Sequence, residues 1–435
     1  MKRILVISMP FKIGVGGFIR SYNVLPLLAK RLSEEFEVEL YIPANAIRTA
    51  IKFYTSSIQA NNKDVTNIND LLSSAVEKVL QDIEQLEKRS KYSFIINERV
   101  LGRSIDVNYE VFLQYTESFR LFPEYTKPIL VHIFEKRFCE NVKKYYAVHE
   151  HTYSMHETPD AITSMMCLVN RSTKSVVLLQ SGLGINPLEK IFNTWLYNQL
   201  TKEVDMKGLL AVSPAPLFES PCLLNIVNPS RINILVPGNA IEKDLLEYRK
   251  TSKEPNTLVY YGRLSREKGL FDIVKAWAIV ERKTSAKLLL IGRFEHENAK
   301  QKFVALMKKY RIENIKYMDF ISDRARLFNI VSKARILLYP SYRDSFSLTV
   351  LESLALGLLV VAYDIPALRY LYSKSKLVKL VPPGNYKELA TRVLESIENC
   401  DAKPNEYTEN LIKLHMSWNA VAEEEHKKLI ALLKL

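Results

Sequence analysis

Two segments of the 435-residue chain set cations and carboxylates at spacings suited to a phosphate-bearing ligand. The first is Gly262-Arg263-Leu264-Ser265-Arg266-Glu267-Lys268-Gly269, lying between an apolar run and an amphipathic one. A loop that leaves a strand and opens a helix sits at the carboxyl end of a parallel sheet, where α/β proteins bind ligands. Arg263 brings a fork of donors and Lys268 a point charge, and together they could hold a diphosphate. A solvated basic loop is the alternative. The second segment is Asp344-Ser345-Phe346-Ser347-Leu348-Thr349-Val350-Leu351-Glu352. If a helix opens at Leu348, the backbone N–H groups of Ser347, Leu348 and Thr349 face an incoming anion. Glu352, one turn inside, could take the two hydroxyls of a ribose. The alternative is an ordinary surface helix with Asp344 near its N-cap.

A third segment, Gly14-Val15-Gly16-Gly17-Phe18-Ile19, follows the first apolar run. It departs from the dinucleotide fingerprint: Ile19 occupies the third glycine position, and no acid ends the next strand at Tyr41-Ile42. That argues against a nicotinamide site. Gly16 and Gly17 before a helix still leave bare N–H groups for a phosphate or a close-packed sugar. A tight turn needing positive φ is the other reading. His149, His151 and His156 cluster with Glu150 and Glu157, but no pair has the His-x3-His spacing, and the chain has no Asp-x-Asp motif. No metal site and no cofactor are therefore expected.

The elements that must carry these residues alternate. Apolar runs at 4–8 and 38–42 flank a helical pattern at 20–32, a βαβ unit. A long amphipathic helix is expected at 67–88. Further strands are expected at 94–97, 109–115, 145–149, 175–180 and 208–213, with helices at 160–170 and 188–200. The alternation restarts near 230. Strands are expected at 232–236, 257–261, 287–291, 315–320, 336–339, 358–362 and 377–381, and helices at 270–282, 298–310, 325–333, 348–356 and 386–398. This is a doubly wound α/β pattern occurring twice. It predicts domains at 1–230 and 231–405, with a helical segment at 406–435 around Trp418.

Composition narrows the class. Hydrophobic residues make 47% of the chain and charged residues 25%, as in globular proteins. No apolar run approaches the ~18 residues of a membrane span, and no secretory signal is expected. Cys139, Cys167, Cys222 and Cys400 are scattered, which points away from disulfides or structural zinc and towards a reducing cytoplasm. The net charge of +13 suits an anionic membrane face or a phosphorylated substrate, or is a solvated lysine-rich surface. The basic residues form no arm and no nucleic-acid motif, so nucleic acid is not an expected partner.

In order and spacing, the second half resembles the retaining glycosyltransferases of family 4, which have the GT-B fold. The resemblance rests on Gly262-Arg263-x4-Lys268-Gly269, on Asp344 and Glu352, and on Leu351-Glu-Ser-Leu-Ala-Leu-Gly with Val360-Val361-Ala362 beyond. It also rests on Val381-Pro382-Pro383-Gly384 and Ser417-Trp418. In the first half only Gly16-Gly17 and Arg20 match. The resemblance implies two Rossmann-like domains facing across a cleft, with the C-terminal helix packing back on the N-terminal domain. It implies transfer of a sugar from a nucleoside diphosphate sugar, bound by 231–405, to an acceptor bound by 1–230, with retention of configuration. Arg263 and Lys268 would neutralise the leaving diphosphate. Glu352 would bind the ribose, and Asp344 would stand where the family's first glutamate contacts the transferred sugar. Ser347, Leu348 and Thr349 would offer N–H groups, and Gly16 and Gly17 would approach the donor from the other domain. His151 or His156 would meet the acceptor or the transferred sugar. The acceptor itself (a sugar, a lipid-linked sugar or a protein) stays open, and peripheral contact with the inner membrane face is one possibility. Asp344 is one methylene short of the family's glutamate, Ser347 replaces its glycine, Gly292-Arg293 shortens a glycine-rich loop, and no glutamate stands near Arg369. A nucleotide-sugar epimerase and a non-catalytic nucleotide-sugar-binding protein remain the alternatives.

Overall fold

The computed structural model describes residues 2–13, 16–61, 68–91, 129, 132–133, 135–136, 153–158, 162–184, 187–250, 253–398 and 403–435. They divide into two compact units: residues 1–212, 216–238 and 418–435 in one, 213–215 and 239–417 in the other. Both are α/β, each with a six-stranded sheet that is parallel throughout.

In the first unit the strands are β1 (Lys2–Ile7), β2 (Phe36–Tyr41), β3 (Tyr153–Thr158), β4 (Lys174–Leu179), β5 (Asp205–Ala211) and β6 (Ile232–Ile234), in the order β2-β1-β3-β4-β5-β6. Ile4, Leu5, Val6 and Ile7 of β1 are all buried, which is why that strand reads as a continuous apolar run. Helix α1 (Gly16–Leu32) begins four residues before the helical periodicity becomes visible, so both glycines lie in its first turn. Two further elements give no clear signal. Helix α2 (Ala44–Asn61) is rich in Thr, Ser and Ile, which have modest helix propensity, and it packs on α3 (Ile68–Ser90). Strand β3 reads Tyr-Ser-Met-His-Glu-Thr, yet it is central, and its buried Ser154 hydroxyl meets that of Ser175 on β4 at 2.7 Å. The strands expected at 94–97, 109–115 and 145–149 lie outside the described residues. Helices α4 (Ile162–Leu168), α5 (Pro187–Glu203), α6 (Ala215–Glu219) and α7 (Leu223–Ile226) complete this stretch.

In the second unit the strands are β7 (Thr257–Tyr261), β8 (Lys287–Ile291), β9 (Ile315–Met318), β10 (Ile336–Tyr339), β11 (Leu359–Tyr363) and β12 (Val378–Val381), in the order β12-β11-β10-β7-β8-β9. The helices are α8 (Leu270–Val280), α9 (Glu297–Tyr310), α10 (Arg324–Val331), α11 (Leu348–Ala355), α12 (Pro366–Leu371), α13 (Tyr386–Glu398) and α14 (Glu406–Leu414). The chain lays down β7, β8 and β9 in one direction and then returns to place β10 on the other side of β7. That reversal makes the β7/β10 edge a topological switch point, the position where open α/β sheets bind ligands beyond their carboxyl ends. The first unit has its own switch point between β1 and β3, where Ile7 pairs with His156.

The last helix, α15 (Trp418–Leu433), belongs to the first unit and packs on α1, β4 and β5. Its Glu425 meets the guanidinium of Arg20 on α1, with both side chains 1% exposed, and Arg20 Nε also donates to the Gly238 carbonyl at 2.8 Å. Removing one partner of such a buried pair strands the other charge without water. No described helix is long and apolar enough to cross a membrane. We predict that Glu425→Ala lowers stability by about 3–5 kcal/mol, read by urea unfolding. A loss below about 1 kcal/mol would contradict a locking role for this pair.

Candidate functional site

The loops leaving β7 and β10 carry the two segments singled out by sequence, and the sheet makes those strands neighbours. The first loop, 262–269, rests on the buried Tyr260, whose hydroxyl donates to the Arg263 carbonyl at 2.7 Å. It ends at Gly269, which has φ +76° and stands so close to the second loop that a Cβ there would lie 2.0 Å from the Pro340 carbonyl oxygen. Only glycine fits both the conformation and the approach. Tyr342 N–H donates to the Glu267 carbonyl at 2.9 Å, so the loops are joined through backbone as well.

Lys268 and Asp344 meet at this junction. Lys268 Nζ donates to Asp344 Oδ2 at 2.9 Å and to the Arg343 carbonyl at 2.9 Å. The buried Tyr339 hydroxyl, at the end of β10, donates to the same carboxylate oxygen. Asp344 Oδ1 accepts from the N–H groups of Ser347 at 3.0 Å and Phe346 at 3.4 Å. Burial by itself would raise the Asp344 carboxyl. The Lys268 ammonium, the Tyr339 hydroxyl and the Ser347 N–H outweigh it and hold the group down at about 2. The Tyr339 hydroxyl is pushed well up by burial and by the adjacent carboxylate, so it stays a donor.

Ser347 takes the left-handed conformation, φ 62°, as N-cap of α11. This is the backbone geometry for which glycine is the natural choice, and a serine here carries strain. Because the Ser347 N–H is engaged by Asp344, the first-turn amides with no acceptor among the described residues are those of Leu348 and Thr349. One turn on, Glu352 is buried. Its Oε1 accepts from Arg324 at 2.5 Å and its Oε2 from Tyr261 at 3.3 Å. Arg324 begins α10 behind the N-cap Asp323, and its guanidinium lies over the Phe328 ring. The Glu352 charge raises the Arg324 guanidinium further, against the effect of burial. Arg263, by contrast, is half exposed and held at the surface by Glu295 at 3.2 Å and Glu267 at 3.4 Å.

Lys268, Asp344, Ser347, Leu348, Thr349 and Glu352 are thus gathered along one edge of the second sheet, with Arg263 at the rim of the same loop. In the first unit Gly17 packs so tightly that a Cβ would come 2.8 Å from Gln180 Oε1. Gly16 lies beside it in the first turn of α1. His156 falls within β3 and not in a loop, and its side chain lies outside the described residues, as do His149 and His151. Sequence reasoning missed Tyr339, Tyr261, Arg324 and Asp272. Asp272, in the first turn of α8, accepts from Tyr363 at 3.0 Å, from Lys275 at 3.1 Å and from Tyr342, and so anchors the β10 loop to the helix behind Lys268. Only the Ser-Asp pair at 322–323 hinted at a helix start beside Arg324. The tyrosine hydroxyls reach carboxylates 5–91 residues distant, which no local pattern reveals.

Residues 244–414, which hold this entire edge, match the family model described as glycosyl transferases group 1. This stretch of the chain is thus similar to the group 1 glycosyltransferases. The capsular polysaccharide biosynthesis glycosyltransferase CapM of Staphylococcus aureus is 22% identical over 189 residues, which are 40% of this chain and 48% of CapM, so the chain matches about half the length of that relative. Among solved structures, a glycosyltransferase of Rickettsia africae aligns over 100% of this chain and 99% of its own, with TM-score 0.60 and 13% identity. HepE of Anabaena, solved with UDP-glucose, aligns over 100% and 98%, with TM-score 0.54 and 14% identity. At these identities the likeness shows the fold, which is GT-B, with two doubly wound domains in one chain.

The surroundings of Asp344 favour its ionised form. A carboxyl held near 2 in the fold and near ~3.9 when unfolded stabilises the protein above about pH 4 and loses that contribution as pH falls towards 2. We predict that Asp344→Asn costs about 2 kcal/mol at neutral pH and flattens the loss of stability between about pH 4 and 2, followed by urea unfolding across that range. An unchanged acid profile would contradict this assignment.

Proposed function

We propose that the protein transfers a glycosyl group from a nucleoside diphosphate sugar to an acceptor hydroxyl, with retention of anomeric configuration. The observation that carries the reading is the single edge at the β7/β10 switch point, where a lysine, two helix amides without an acceptor among the described residues and a buried carboxylate line up inside the stretch matched by the group 1 model. Lys268 and the Leu348 and Thr349 amides suit a diphosphate, and Arg263 joins them by exchanging Glu267 and Glu295 for phosphate oxygens. Glu352, steadied by Arg324 and Tyr261, suits the ribose hydroxyls. Asp344 is shorter than the family's glutamate and already surrounded by donors. It acts chiefly by aiming Lys268 and fixing the start of α11. As negative charge grows on the leaving diphosphate, these prearranged donors lower its energy without needing to reorganise. The UDP and UDP-glucose held by HepE favour a uridine nucleotide as donor. We assign the acceptor to the first unit, where Gly16, Gly17 and one of His151 and His156 are the candidates for contact with a sugar. The scattered cysteines suit a cytoplasmic enzyme.

The engaged carboxylate of Asp344 also favours a second reading, a nucleotide-sugar-binding protein without turnover. One experiment separates the two. Wild type and Arg263→Ala are assayed for nucleoside diphosphate release and sugar transfer over UDP-, GDP- and ADP-sugars. Because Arg263 is half exposed and its partners are at the surface, its removal leaves the fold intact. The proposal expects release with one donor and a roughly 10²–10³-fold lower rate in the variant. Nucleotide binding without release from any donor supports the second reading. No nucleotide binding at all refutes both.

A further inference from the structure

Helix α5 is apolar on two sides. Asn193, Leu196, Tyr197 and Leu200 are buried against the first unit. Leu188, Ile191 and Trp195 occupy the opposite stripe at i, i+3 and i+7, and are 55%, 66% and 47% exposed. The ring of His132 contacts Phe192 at 5.9 Å and Trp195 at 6.2 Å, which sets His132, and with it the helical turn that carries Ile129 and Ile133, beside this stripe. There Ile129 and Ile133, four apart, are 45% and 44% exposed. A single exposed leucine needs no explanation, but five large apolar side chains on two adjoining stripes form a patch of the kind that marks an interaction surface.

Charge identifies what the patch fits. Each stripe runs on into an exposed lysine seven residues past an apolar member: Lys136 after Ile129, and Lys202 after Trp195. The acids of the two segments are turned elsewhere. Glu135 is buried, accepting from Ser164 Oγ at 2.5 Å and from Asn45 N–H at 3.1 Å. Glu189 lies over Gly184, where a Cβ would come 2.5 Å from its Cγ. The exposed Glu203 lies about 80° round the helix axis from Trp195. A tryptophan and isoleucines backed by lysines, on a chain of net charge +13, complement an anionic bilayer surface, where apolar side chains enter the acyl boundary and cations meet the headgroups. A second copy of the same face would set lysines against lysines.

We propose that this face of α5, with Ile129, Ile133 and Lys136, docks the protein on anionic membrane. The inference stands apart from the donor chemistry, because lipid binding needs neither nucleotide nor turnover.

The test is co-sedimentation of the full chain with phosphatidylcholine vesicles, with and without phosphatidylglycerol, at low and high salt. Two variants are compared with wild type: the triple change Leu188→Ser, Ile191→Ser, Trp195→Ser, and the double change Lys136→Glu, Lys202→Glu. All five positions are exposed, and retained thermal midpoints verify folding. Wild type should bind phosphatidylglycerol vesicles in a salt-sensitive way. The triple variant should bind at least roughly tenfold more weakly, and the double variant should lose its preference for phosphatidylglycerol. Wild type that stays in the supernatant, or a triple variant that binds as well as wild type, would overturn the proposal. So would sedimentation velocity showing a wild-type dimer that the triple variant splits, because the face would then be covered by a second copy.

Discussion

The second unit is organised around the ion pair of Lys268 and Asp344. Each residue lies in a loop from a different strand, and the pair closes only because β7 and β10 are neighbours in the sheet although 74 residues separate Tyr261 from Ile336 on the chain by way of β8 and β9. Partial burial on its own would favour the protonated carboxyl; with the ammonium and the Tyr339 hydroxyl beside it, this half-buried one stays charged. Its charge then fixes the Lys268 ammonium on one side and the first amide of the α11 turn on the other. The same contact thus stabilises the domain and arranges the donors that a diphosphate would meet.

Around this pair the supports are layered. Gly269 allows the loops to touch, Asp272 holds the second loop through two tyrosines, and Arg324 with Tyr261 holds Glu352. The rim differs from this interior. Arg263 is held only by exposed ion pairs, which contribute little in water, so it can change partners at small cost. A rigid inner set and an exchangeable outer cation suit a site that must release its product as readily as it binds its substrate.

Much of this was legible in the chain. The strands β7, β10 and β11 of the second unit are nearly pure runs of apolar residues and Tyr, because the middle of a parallel sheet is covered on both faces, and each site loop sits between such a run and a helix. Arg263, Lys268, Asp344 and Glu352 are therefore readable as loop and helix-start residues. What escaped notice is what the third dimension adds. The mixed sequence of β3 hides a central strand, and the Ser347 amide bends back to Asp344, where an amide offered to a ligand was expected. Arg20 matched a family position, yet it is sealed against Glu425 on a helix 405 residues away. Propensity and spacing carry no information about such pairings, which packing alone decides.

The central claim is that nucleoside diphosphate binds at the β7/β10 edge. The most direct measurement is amide hydrogen exchange of the intact protein with UDP, GDP or ADP added in turn. The account predicts that one of them slows exchange in residues 262–269 and 344–352, with Leu348 and Thr349 among the protected amides. A nucleotide that binds, yet leaves both loops exchanging as before, would contradict it.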